Sequence, residues 1–226
     1  MTALARGGLP VDREADFERL ELDGLAATVE EPLLHWTLRI GDDELTFEAT
    51  GPPAGIEPSE PLARAGGMAG YEQICRVHGS LRGHEIRCLG QRGHVWGEPD
   101  WDRIDSTRTL AAWLDDGSGV VLSAVRPAGA CGHEPEATWA ALLGSAGALR
   151  VDEPRLSTTY DEDGRQRRAG LELWVGEDDG YPRHATGEVV CGSTLDLGQL
   201  RLDCAFVRWR MDGRTGSGRY DVLRRA

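Results

Sequence analysis

The chain contains no lysine. Its 25 basic residues other than histidine are all arginine, set against 38 Asp and Glu, for a net charge of −13. A Lys Schiff base and a Lys general base are therefore excluded. The acidic surplus repels phosphate backbones and anionic lipid heads, which argues against nucleic acid and membrane surfaces as partners. Long apolar runs are missing as well. None approaches the ~18 residues that a membrane-spanning helix needs, and residues 1–10 lack the apolar core of a secretion signal. Cysteine is sparse: five residues, odd in number, widely spaced and without a Cys-x-x-Cys pair. Free thiols in a reducing compartment, and hence a cytoplasmic protein, are the expectation. The Gly-x-Ser-x-Gly pattern of a nucleophile elbow is absent. The glycines of residues 213–218 lack the Lys and following helix of a phosphate loop.

What the sequence has in quantity is strand and turn. Leu34, Trp36, Leu38 and Ile40 alternate with polar residues. After Gly41-Asp42-Asp43 the alternation resumes at Leu45, Phe47 and Ala49. Period two on both sides of a turn is the mark of a half-buried hairpin. The same grammar returns around Asp115-Asp116-Gly117, Asp161 to Gly164, Glu177 to Gly180 and Asp212-Gly213. Asp-Gly supplies the positive φ that tight hairpin turns require. The expectation is an all-β antiparallel protein with strongly curved sheets or barrels, in two packed subdomains. Its 226 residues suffice to bury a core without disulfide or metal.

The divisions expected are an N-terminal extension over 1–20, with a short helix from Asp12 to Leu20; a main β domain over 21–146; and a smaller β subdomain over 147–226. Residues 51–70, rich in Gly, Pro and Ala, read as a long loop or lid. Residues 137–143 read as strand or loop. Leu200, Leu202, Cys204 and Phe206 share one phase while Val207, Trp209 and Met211 take the other, which places a bulge near Phe206.

One segment concentrates chemistry: Gly90-Gln91-Arg92-Gly93-His94-Val95-Trp96-Gly97-Glu98-Pro99-Asp100-Trp101. It reads as a strand running into a tight corner, with rings turned into a cavity. Trp offers a large apolar face and one N–H donor, which suits a pocket wall or a filled core. His94 and Trp96, two apart, share a face if the segment is extended. His94 is either a general acid/base, or hydrogen-bond donor to a ligand, or a brace for the corner through Asp100. Glu98 and Asp100 are either pocket acids or turn caps and partners of Arg92. Upstream, Tyr71 and Gln73 share a face and, if it points inward, orient a ligand oxygen. Cys131-Gly132-His133-Glu134 supplies too few ligands for zinc, so no metal site is assigned.

The segment resembles the signature Gly-x-Arg-x-His-x-Trp-Gly-x-x-Asp-Trp of the lipocalin-like (calycin-type) family of carotenoid hydratases, AttH-type proteins and Diels–Alderase-like cyclases. Gly70-Tyr71-Glu72-Gln73, Val77-His78-Gly79 and residues 209–218 are similar to flanking strands of its bacterial branch. The likeness covers roughly residues 30–125 and 200–222. It implies a β-barrel holding an apolar, isoprenoid- or polyketide-like molecule, and cofactor-independent hydration, isomerisation or cyclisation. His94 and Asp100 are then the catalytic candidates. Trp96, Trp101, Tyr71, Gln73, Arg92 and Trp36 are the ligand-binding ones. Two departures stand out. Gly93 replaces an acid common before the His, and residues 119–125 carry no acid, although hydration of an alkene needs a strong proton donor. A non-catalytic carrier or sensor of an apolar ligand is the alternative, and a solid-cored interaction module is a third reading.

Overall fold

The structure, a computed structural model, describes residues 19–22, 24–130, 136–176 and 181–226. Among the described residues the elements are antiparallel β strands and one short helix. The first sheet holds β1 (Arg19–Leu22), β2 (Leu25–Glu31), β3 (His35–Ile40), β4 (Asp43–Ala49), β5 (Ala54–Ile56), β6 (Met68–Leu81) and β7 (His84–Gly97), with α1 (Pro61–Gly66) between β5 and β6. Its order is β1-β2-β3-β4-β6-β5, with β7 on the other edge of β6. The second sheet holds β8 (Ile104–Leu114), β9 (Gly119–Pro127), β10 (Ala137–Gly144), β11 (Gly147–Arg150), β12 (Glu153–Tyr160), β13 (Gln166–Trp174), β14 (Arg183–Asp196), β15 (Leu200–Met211) and β16 (Arg214–Arg225). Its order is β11-β10-β9-β8-β16-β15-β14-β13-β12.

The expected all-β antiparallel class is what the chain adopts. Four of the five Asp-rich turns join paired strands, as the alternation requires. Asp212 and Gly213, at φ 51° and 77°, form the two-residue turn from β15 to β16, whose twist matches the flanking strands. The turn at 177–180 lies outside the described residues, though β13 and β14 on either side of it pair. Most of the proposed helix, residues 12–18, also lies outside them; the stretch from Arg19 is strand β1. Residues 137–143 belong to strand β10.

Two expectations are corrected. Residues 51–70 are no open loop: they form β5, α1 and the start of β6, and bury Ala54, Ile56, Leu62 and Ala63. Small residues there serve close packing. Gly51 and Gly67 stand where a Cβ would meet the carbonyl oxygens of Gly144 and Glu98 at 2.5 and 2.6 Å. Nor is β15 bulged at Phe206. It pairs residue for residue with β16, and Ala205, Val207, Trp209 and Met211 keep one phase inward. The register shift lies in the neighbouring β14, between Val189 and Cys191.

Trp209, Tyr220, Leu110, Leu122, Leu171 and Leu173 fill the interior of the second sheet. Its two ends approach each other, for Val151 N–H donates to Ala140 O at 3.0 Å and Thr138 Oγ1 to Pro154 O at 3.3 Å. A second core joins the sheets: Ile74, Ala54, Ile56 and Leu62 meet Ala111, Val121, Trp139 and Leu143. The sheets change over at residues 98–103, whereas residue 146, the division drawn from the sequence, lies in the β10–β11 hairpin.

Candidate functional site

Strand alternation assigns β6 and β7 two opposed faces, and both carry chemistry. In register, Tyr71 opposes His94, Gln73 opposes Arg92, and Ala69 opposes Trp96. The same face continues through Val77 and Phe47 to Trp36. Six of the expected residues thereby gather on one face of the first sheet: Trp36, Tyr71, Gln73, Arg92, His94 and Trp96. The Arg92 guanidinium lies 4.2 Å from the centroid of Trp36 and 5.3 Å from that of Tyr71, and it donates to the Tyr71 hydroxyl. Tyr71, His94 and Trp96 form a ring cluster with centroid separations of 5.3 to 6.5 Å. Arg stacked between aromatic faces sheds part of its hydration and is held in one geometry.

This face grades from dry to wet. Trp36 is buried, Tyr71, Arg92 and His94 are half-buried, and Trp96 is 45% exposed. Burial, and then the Arg92 charge, hold the His94 imidazole below its ordinary pKa, so it is neutral at pH 7 and able to accept a proton. Burial also draws the Arg92 guanidinium down from its ordinary value.

The remaining expected residues lie elsewhere or are otherwise engaged. Gln73 shares the face, but its amide N–H groups donate to the carbonyls of Leu33 (3.0 Å) and Gly51 (2.7 Å). It ties two loops to β6 and does not present its donors to a ligand. Trp101 packs against the core between the sheets. Asp100 is exposed in the turn between β7 and β8, where its carboxylate accepts the Asp102 N–H at 3.0 Å. The signature is a strand running into a turn, as expected: its residues through Gly97 are paired with β6, and Glu98 to Trp101 lie in the turn before β8. Cys131 to Glu134 lie outside the described residues. Among the described residues no group of three or more His, Cys, Asp or Glu converges as a metal site.

The opposite face of the hairpin holds an acid that the sequence reading passed over. Glu72 is 5% exposed and faces the second sheet. Burial raises its pKa to about 7, against the opposing pull of Arg219 and of a hydrogen bond from Gln91. Asp221 of β16 is also raised, chiefly by burial. Gly93 opposes Glu72 in register, and a Cβ at 93 would lie 2.5 Å from Glu72 Oε2. The Glu72 carboxyl therefore occupies the room a side chain at 93 would take. One signal was available in the sequence: Glu72 is a charged residue in phase with the apolar Ile74.

Two curved antiparallel sheets sharing one core, the first with an aromatic and cationic face, place the chain in the lipocalin-like fold class. Solved structures of that class align over most of its length. A structure of an AttH-type protein from Nitrosomonas europaea has a TM-score of 0.58 at 20% identity, covering 90% of this chain and 68% of the other. Kievitone hydratase from Nectria haematococca has a TM-score of 0.58 at 10% identity, covering 91% and 70%. CghA has a TM-score of 0.60 at 12% identity, covering 89% and 67%. The chain belongs to the family described as domain of unknown function (DUF7064), whose model matches residues 3–226. No curated protein matches it.

Proposed function

We propose that the chain binds an apolar small molecule, isoprenoid- or polyketide-like, against the Trp36–Tyr71–Trp96 face and catalyses a cofactor-independent proton transfer on it. The observation that carries this reading is the gathering of Arg92, Tyr71, His94 and Trp96 on one face, from two strands, around a guanidinium already stacked on two rings. The rings supply apolar area. Arg92 and the Tyr71 hydroxyl are fixed dipoles at which negative charge can develop. His94, neutral at pH 7, is the group that removes a proton. A neutral base serves isomerisation or cyclisation through an enolate-like intermediate better than it serves alkene hydration, which begins with a strong acid. The likeness to kievitone hydratase supports the broader class of chemistry, with hydration among its members. Trp101 and Asp100 have no part in this reading.

A carrier of the same ligand is the second reading. It is favoured by the absence of any carboxyl among the residues gathered on this face. Native mass spectrometry of the protein as recovered from expression separates the two, since a carrier retains its ligand unchanged and an enzyme retains a transformed one. For the enzyme, His94→Gln lowers turnover of the recovered molecule about a hundredfold or more while the bound mass persists. Turnover equal to wild type removes His94 from the reaction.

A further inference from the structure

The joint between the two sheets has a polar centre that the reading of the Trp36–Tyr71–Trp96 face does not use. On the outer face of the second sheet two cross-strand rows run from β14 to β16: Cys191, Phe206 and Arg219 in one, Ser193, Cys204 and Asp221 in the other. Their β14–β15 end borders a groove of about 400 Å³ lined by Cys191, Ser193, Leu195, Cys204 and Phe206. Phe206 is 37% exposed there. Toward the β16 end the rows become polar and half-buried. Arg219 and Asp221 pair at 3.5 Å, and the Cys204 thiol hydrogen-bonds to Asp221, joining the groove lining to the charged pair. Glu72 and its partner Gln91 approach from the first sheet, with Glu72 under the influence of both Arg219 and Asp221. Three polar atoms of this cluster are buried without a partner: Gln91 Oε1, Arg219 Nε and Asp221 Oδ1. Buried polar atoms cost free energy unless paired, and a donor beside acceptors is what a hydroxyl, which accepts one hydrogen bond and donates another, fits.

We propose that this joint is a second small-molecule site, which takes the uncharged hydroxyl headgroup of an apolar molecule whose body lies along Cys204, Phe206 and Leu195. An anionic headgroup would meet two carboxyl groups, and a cationic one would meet the Arg219 guanidinium. The groups facing Glu72 are Gln91 of β7 and Arg219 and Asp221 of β16, with Cys204 of β15 bonded to the last. Neutral Glu72 offers an O–H to the ligand oxygen. Its carboxylate offers none and adds a buried charge, so binding weakens as pH rises through about 7.

The test uses three probes with one ring: cyclohexanol, cyclohexanecarboxylate and cyclohexylamine. Each is titrated into the full chain while the amide resonances of Cys204, Phe206 and Asp221 are followed by NMR. Cyclohexanol is expected to shift these resonances, and the two charged probes to leave them in place. Arg219→Met weakens cyclohexanol about tenfold, the loss of one buried hydrogen bond. Glu72→Gln, which keeps the shape and a donor, reduces the pH dependence to what Asp221 leaves. Trp96→Ala leaves this binding unchanged, so failure of the reading of the Trp36–Tyr71–Trp96 face and failure of this one are distinguishable. Three outcomes overturn the proposal: the carboxylate binding as well as the alcohol, shifts confined to the strands of the Trp36–Tyr71–Trp96 face, or an unaltered pH profile in Glu72→Gln. The wild-type titration decides even where a variant does not fold.

Discussion

The side chain at position 72 carries an energetic consequence that can be signed. Its pKa in the fold is raised from 4.5 to about 7, so between those values the native state binds more protons than the unfolded one. Stability then falls as pH rises through that window and levels off above it, by up to roughly 3 kcal/mol for this group. Asp221, also raised, adds to the same slope. Urea denaturation at either end of the window measures it, and in Glu72→Gln the slope is expected to shrink to what Asp221 leaves. An equal slope in that variant would show the carboxyl to be solvated. At this scale the sequence was only half legible. Residues 71, 73, 92, 94 and 96 shared a face because period two requires it. The acid at 72 was missed because attention followed the signature downstream, while its partners lie on β16, some 150 residues away along the chain. Asp100 and Trp101 failed to join the cluster because the strand ends at Gly97, and a new turn sets their directions.

Elements were legible where local chemistry decides them. Asp-rich turns between alternating runs gave the hairpins of β3–β4, β8–β9, β12–β13 and β15–β16. The segment 51–70 misled because Gly, Pro and Ala are turn formers in isolation and also the residues that permit close approach. Tertiary contact decided between these roles. Arg150 reaches across from β11 to Glu60 at 3.0 Å, and the αL glycine Gly67, at φ 66°, ends α1. A packed element and a loose lid differ in what truncation costs. Leu62→Ala is expected to destabilise the protein by about 2–4 kcal/mol in chemical denaturation, the usual range for a buried leucine. A loss under about 0.5 kcal/mol, typical of surface sites, would return the segment to a lid. The shift in β14 near Val190 was placed on the wrong strand by sequence, since phase alone does not tell a bulged strand from its neighbour.

Across the whole molecule, one sheet is filled and the other offers a surface. The second sheet wraps side chains such as Trp209 and Tyr220, both at 0% exposure. The first sheet turns one face to the core between the sheets through Ile74 and keeps the other for Trp36, Tyr71, Arg92, His94 and Trp96. Composition and alternation announced the fold class, whereas which sheet would be solid rested on long-range pairing such as β16 with β8. The claim on which the functional account depends is that the aromatic face of the first sheet holds an apolar ligand. Titration with retinol, followed by quenching of tryptophan fluorescence, measures it most directly. Saturable quenching in the wild type that weakens at least about tenfold in Trp96→Ala, the loss of an aromatic contact of about 1.4 kcal/mol, is the predicted result. Quenching absent in the wild type, or saturating identically in Trp96→Ala, would contradict it.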